Sequence, residues 1–140
     1  MIKVCELFAG VGGFRLGLEK ASDEFNFVWA NQWEHSTKSQ EAYDCYGKRF
    51  GFDDVSNVDI FEVDKKTIPD HTLLVGGFPC QGFSVANNKR SMKDERNFLY
   101  KEMLRVIRDK NPKFFVAENV KGILSMEKGK VIDMIKKDFE

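Results

Sequence analysis

The chain has 140 residues, enough for one domain with a buried core. Its 22 Lys and Arg balance its 22 Asp and Glu, so global charge makes no case for nucleic acid, and any such case must be local. The composition, ordinary apart from 13 Phe, excludes a disordered chain, and three cysteines without a Cys-x-x-Cys pair argue against a disulfide framework or a structural zinc site.

The opening "MIKVCELFAG" is too short and too quickly acidic for a secretory signal, and no apolar run could span a bilayer. A reducing, cytoplasmic setting is the expectation. "KVCELF" reads as a short buried strand, and the glycine-rich "AGVGG" leads from it into a helical "FRLGLEKAS" with Phe14, Leu18 and Ala21 at helical spacing. "FNFVWAN" is a second strand. "HSTKSQEAYDCYGKRFG" is expected to be helical and to stop at Gly51, and "SNVDIF" to be weakly extended.

"TLLVGGF" is a fourth strand, followed by the polar loop "NNKRSMKDE". "RNFLYKEMLRVIRDK" puts Leu99, Met103, Val106 and Ile107 on one helical face, and Asn111-Pro112 ends that helix. "KFFVAEN" is a fifth strand, and "KVIDMIKKDF" a last helix carrying Ile132, Ile135 and Phe139. There is no internal repeat, low-complexity tract or linker. Alternation of strand and helix predicts an α/β domain with a mostly parallel sheet flanked by helices. Ligands bind such sheets beyond the carboxyl ends of the strands, where "FAGVGG", "GGFPCQGFS" and "AENVKG" all fall.

Each of these stretches has its own chemistry. Glycines after a first strand let backbone approach a ligand closely, but Arg15 stands where the nicotinamide fingerprint needs its third glycine. After the second strand, where a nucleoside-binding fold usually presents an acid to the ribose, the chain offers "NQWEH". Gln32 can hydrogen-bond a hydroxyl, Trp33 can stack on a base or simply pack, and Asp59 can accept from an exocyclic amine or lie solvated.

Cys80 follows the strand "TLLVGGF" in a loop stiffened by Pro79. A phosphate-binding Cys-x-x-x-x-x-Arg loop would need Arg at Ala86, a redox pair would need Cys at Phe83, and neither His35 nor His71 suits a Cys–His protease. Glu118 ends the fifth strand, where half-burial beside neighbouring strand ends would raise its pKa toward general-acid values, or where it caps or pairs. Cys5 and Cys45 are expected to be packing residues.

"ELFAGVGGFRLGLE", "NQWE", "VDIF", "GGFPCQGFS", "ERNFLY" and "AENVKGI", in this order and spacing, resemble the DNA cytosine-5 methyltransferases of bacterial restriction–modification systems. The likeness runs from near residue 3 to about residue 124. It implies a Rossmann-like fold that uses S-adenosylmethionine and acts on double-stranded DNA, with no metal and no membrane. The implied nucleophile is Cys80, which attacks carbon 6 of a flipped-out cytosine, while Glu118 serves ring nitrogen 3 and Asn119 holds Glu118 and its loop. Phe8, Gly10, Val11, Gly12 and Gly13 would cradle the methionine part of the cofactor. Trp33 would lie on the adenine, Asp59 and Ile60 would read its edge, and Phe78, Pro79 and Leu99 would close the pocket. Gln32 departs from the acid usual at its position, and Glu34 is an alternative ribose ligand.

The polar loop from Gln81 to Arg96 would be a lid, with Gln81, Ser84, Lys89, Arg90 and Arg96 toward DNA. Residues 1–140 would be the N-terminal part of a catalytic domain, incomplete at its C-terminal side. A second chain or further sequence would then complete the sheet and supply target recognition. A second class stays open: a catalytically inactive nucleotide-binding or regulatory module acting through a partner chain. Cys80 and Glu118 together favour the enzyme, and Arg15 disfavours a nicotinamide oxidoreductase.

Overall fold

The computed structural model describes residues 1–79 and 99–140. Five strands, β1 (Ile2–Leu7), β2 (Phe25–Asn31), β3 (Val55–Ser56), β4 (Leu73–Gly77) and β5 (Phe114–Glu118), form one sheet in the order β3-β2-β1-β4-β5. Every pairing is parallel. The order reverses between β1 and β4, which opens a crevice beyond their carboxyl ends.

Among the described residues four α-helices flank the sheet: α1 (Gly13–Ala21), α2 (Glu41–Phe50), α3 (Leu99–Lys110) and α4 (Lys130–Phe139). Strand alternation decides which residues meet which helix. Val4, Phe27, Leu73 and Val75 point to one face, where Phe14 and Leu18 of α1 cover them. Cys5, Leu7 and Leu74 point to the other, against Leu99, Met103 and Val106 of α3. Tyr46 of α2 packs on Ala30 and Val55, and Val131 and Ile135 of α4 pack on Tyr100 and Leu104 of α3.

Three expectations change. The second helix begins at Glu41 rather than near His35, because residues 35–40 spend their polar groups on local bonds: Gln40 accepts from the Glu34 N–H and donates to the Glu34 carbonyl, and Thr37 donates to the Ser39 carbonyl. The weak extended piece shrinks to Val55–Ser56, after which Asp59 caps a 3-10 turn over Ile60–Glu62 by accepting from the Phe61 N–H at 3.1 Å. Cys45 is exposed on α2, whereas Cys5 is fully buried, its thiol pushed up to about 12 by desolvation.

Candidate active site

A cavity of about 150 Å³ lies beyond the carboxyl ends of β1, β2 and β4. Phe8, Gln32, Trp33, Ile60, Pro79 and Leu99, which the resemblance assigns to a cofactor, line it together with Asn31, Glu34, His35, Ser36 and Gly77. Phe8 follows β1 directly and has φ 53, a left-handed conformation that costs a non-glycine residue about 1–2 kcal/mol. The strained residue lies on the cavity wall and also packs against the core on both sides of α3.

Gln32 is buried, and its Oε1 accepts from the Gly10 N–H at 2.8 Å. That bond ties the glycine turn to the end of β2. Its carbonyl being engaged, Gln32 can present its amide N–H groups to a ligand, where a carboxylate could only accept. Trp33 is 37 % exposed on the pocket wall. Glu34 reaches the same wall and accepts from the Ser36 hydroxyl at 2.8 Å.

Gly10, Val11, Gly12 and Gly13 carry the chain from Phe8 into α1 without lining the cavity, and Val11 is exposed. Gly12 cannot be replaced cheaply. Its φ is +96, and a Cβ there would stand 2.4 Å from the Phe50 ring and 3.2 Å from Tyr46.

Asp59 and Ile60 divide their tasks. Ile60 is buried against the pocket, while Asp59 stands behind it, with Oδ1 on the Phe61 N–H and Oδ2 3.5 Å from Nδ1 of His35. Arg105 of α3 holds this corner, donating to the Ile60 carbonyl at 2.8 Å and to the Val63 carbonyl at 3.4 Å. Asn31 donates to the Val58 carbonyl at 2.9 Å, and Asn57 donates to the Gln32 carbonyl at 2.8 Å. These three anchors have no sequence signature, because each donates to a backbone carbonyl brought near only by folding.

Two residues depart from expectation. The Phe78 ring packs in the core, its centroid 6.0 Å from that of Tyr100, and is not part of the pocket lining. Position 78 follows the alternation of β4, which sends its side chain to the α3 face. Glu118 is exposed rather than half buried, because β5 is the edge of the sheet and all five of its residues are exposed.

Even so, Glu118 is well placed. It pairs in register with Gly77, and a Cβ at Gly77 would stand 2.8 Å from its Oε2. Asn119 donates to the Phe78 carbonyl at 2.8 Å and accepts from the Val120 N–H at 2.8 Å. The end of β5 is thereby pinned to the stretch that leads into Cys80. Cys80, Gln81, Ser84, Lys89, Arg90 and Arg96 lie outside the described residues. Among the described residues no group of three or more His, Cys, Asp or Glu could hold a metal ion, and no helix is long and apolar enough to cross a membrane.

The sheet order, the crevice at its reversal and the glycine turn define a Rossmann-like methyltransferase fold. The family model for C-5 cytosine-specific DNA methylases matches residues 2–140, and the chain belongs to that family. It is 46% identical over 129 residues to the type II methyltransferase M.Sau3AI of Staphylococcus aureus, covering 88% of this chain and 31% of that protein. It is 38% identical over 135 residues to M.HhaI of Haemophilus parahaemolyticus, covering 96% of this chain and 38% of that one. The chain thus spans about a third of the length of these curated relatives. The Dnmt2 methyltransferase of S. pombe shares the fold, with TM-score 0.73 and 24% identity over 99% of this chain and 41% of that one.

Proposed function

We propose that this chain holds S-adenosylmethionine and the reacting residues of a DNA cytosine-5 methyltransferase. The observation that carries this is the meeting of two motifs: Glu118 lies against Gly77, and Asn119 bonds the Phe78 carbonyl, two residues before Cys80. The cofactor fits the residues present. Trp33 and Ile60 on the cavity wall suit a purine, the amide of Gln32 suits the ribose hydroxyls, and Phe8 suits the methionine end, with the glycine turn tied to the wall through the Gly10 N–H bond to Gln32. Bound there, S-adenosylmethionine supplies an electrophilic methyl group.

Cytosine carbon 5 is a poor nucleophile. Cys80, as thiolate, adds to carbon 6, and the ring electrons are pushed toward carbon 5. Glu118 donates a hydrogen bond or proton to ring nitrogen 3 and offsets the charge that develops there. Carbon 5 would take the methyl group as the S–CH3 bond breaks and the neutral thioether S-adenosylhomocysteine leaves, and would then lose its proton to a base. The electrons of that C–H bond re-form the double bond as the Cys80 thiolate leaves. The target base must be flipped from the duplex, at about a few kcal/mol. Gln81, Ser84, Lys89, Arg90 and Arg96 are assigned to DNA contact around it, and Asn119 to holding Glu118.

Duplex DNA is the proposed substrate and bacterial cytoplasm the proposed setting. The edge strand β5, with Phe114, Phe115 and Val116 exposed, is where we assign further strands from additional sequence or a partner chain. To test the chemistry, the chain, which is expected to be inactive alone, is reconstituted with the further sequence or partner chain that completes the sheet. It is then incubated with methyl-labelled S-adenosylmethionine and unmethylated duplex DNA. Label is expected on cytosine carbon 5 and is expected to vanish in Cys80→Ser. Transfer that survives Cys80→Ser, or label at another atom, overturns the mechanism.

A further inference from the structure

The residue that breaks the nicotinamide pattern has work of its own. Arg15 lies in the first turn of α1, just after the glycine turn, and Glu6 lies in β1, just before it. Tyr46 of α2 joins them. Nη1 of Arg15 is 3.4 Å from the Tyr46 hydroxyl, and that hydroxyl is 3.4 Å from Oε1 of Glu6. Donor and acceptor roles run in one direction, from guanidinium to phenol to carboxyl. The Arg15 guanidinium also stands over three rings, 4.5 Å from the centroid of Phe50, 5.4 Å from Phe27 and 5.8 Å from Tyr46. Two of those rings, Phe50 and Tyr46, are the atoms that fill the space beside Gly12.

We propose that Arg15, Tyr46 and Glu6 form a clamp across the glycine turn, and that Tyr46 and Arg15 are positioning residues that set the turn's conformation for the cofactor. The second half of that statement rests on the reading that this turn faces S-adenosylmethionine. The clamp itself does not.

Glu6 is 1 % exposed, and its Oε2 has no hydrogen-bond partner among the described residues. The other groups around it are few. Arg15 and Glu19 of α1 and Tyr46 of α2 act on its charge, while Ala30 and Val75, beside it on the neighbouring strands, carry none. Burial pushes the carboxyl up to about 7, and holds the Tyr46 phenol near 12, protonated and able to donate. Both links of the relay are long. An ionised Glu6 is the stronger acceptor and shortens them, drawing Tyr46 toward β1. Because Tyr46 abuts Gly12, that movement is felt by the turn.

The experiment follows the amide resonances of Gly10, Gly12 and Gly13 in isotope-labelled protein as pH is taken through 7. Wild type, Glu6→Gln and Tyr46→Phe are compared, and S-adenosylhomocysteine affinity is measured at both ends of the range. In wild type the glycine amides are expected to follow one titration, and affinity to rise about fivefold toward the alkaline end, at the lower end of typical site-to-site coupling. Glu6→Gln is expected to abolish both. Tyr46→Phe keeps the ring and the packing beside Gly12, and is expected to abolish both as well. Glycine amides that ignore pH in wild type, or that titrate unchanged in Tyr46→Phe, overturn the clamp. A titrating turn in a wild type that binds no S-adenosylhomocysteine upholds the clamp and defeats the cofactor reading. A pH-independent affinity beside a titrating turn overturns the claim that the clamp positions the turn for the cofactor.

Discussion

A methyl group at Gly77 would touch the proposed acid. A Cβ there meets the carboxylate of Glu118, the far end of a flexible side chain, so alanine displaces that group rather than the backbone. Gly77→Ala is therefore expected to leave the melting temperature nearly unchanged while lowering methyl transfer. Glu118→Gln, which removes the proton donor outright, is expected to cost about a hundredfold or more, the usual contribution of general acid catalysis. Thermal melts and labelled-methyl assays on the two variants check this together. Gly12→Ala behaves oppositely, because ring atoms and a left-handed φ both stand in the way; a loss of about 1–3 kcal/mol is expected from denaturant unfolding. At this scale motifs were the readable part. Gln32 and Trp33 could be placed from their position after a strand, and Phe8 and Ile60 only from the family resemblance. The exposure of Glu118 could not, since it depends on which strand ends the sheet.

Between elements, the pocket is held by bonds that no local pattern announces. Arg105 of α3 binds the Ile60 and Val63 carbonyls, so one side chain ties the Ile60 corner of the cavity to a helix. Arg105→Met keeps much of the aliphatic stem and removes both bonds. Weaker S-adenosylhomocysteine binding is expected, by about tenfold, with the loss of a charge-assisted bond and a looser Ile60. Calorimetric titration of the variant measures it. The strand and helix bounds were legible where hydrophobic periodicity was uninterrupted, as in β2 and α4. They failed at residues 35–40, where serine, threonine and glutamine side chains bond nearby backbone instead of permitting another turn of helix. Phe78 misled for a related reason: its motif pointed to the pocket, but strand alternation turned its ring into the core.

Over the whole molecule, one buried carboxyl links stability to pH. Glu6 rises from the ordinary 4.5 to about 7 because folding removes it from water. A group raised in this way binds its proton more tightly when folded. Its stabilising contribution is complete below 4.5 and is lost as pH climbs to about 7. Linkage puts the ceiling of that loss at about 3 kcal/mol. Glu6→Gln is expected to flatten this part of the stability profile, and denaturant unfolding at several pH values reads it directly.

The crevice itself follows from topology, since a sheet ordered β3-β2-β1-β4-β5 must open between β1 and β4. The central claim is that this crevice is the S-adenosylmethionine site. Titration of S-adenosylhomocysteine into the protein by calorimetry tests it most directly, with Trp33→Ala as the companion. Saturable binding at one site, weakened about tenfold or more when the stacking ring is lost, is the predicted result. Absence of binding, or binding indifferent to Trp33→Ala, would contradict it.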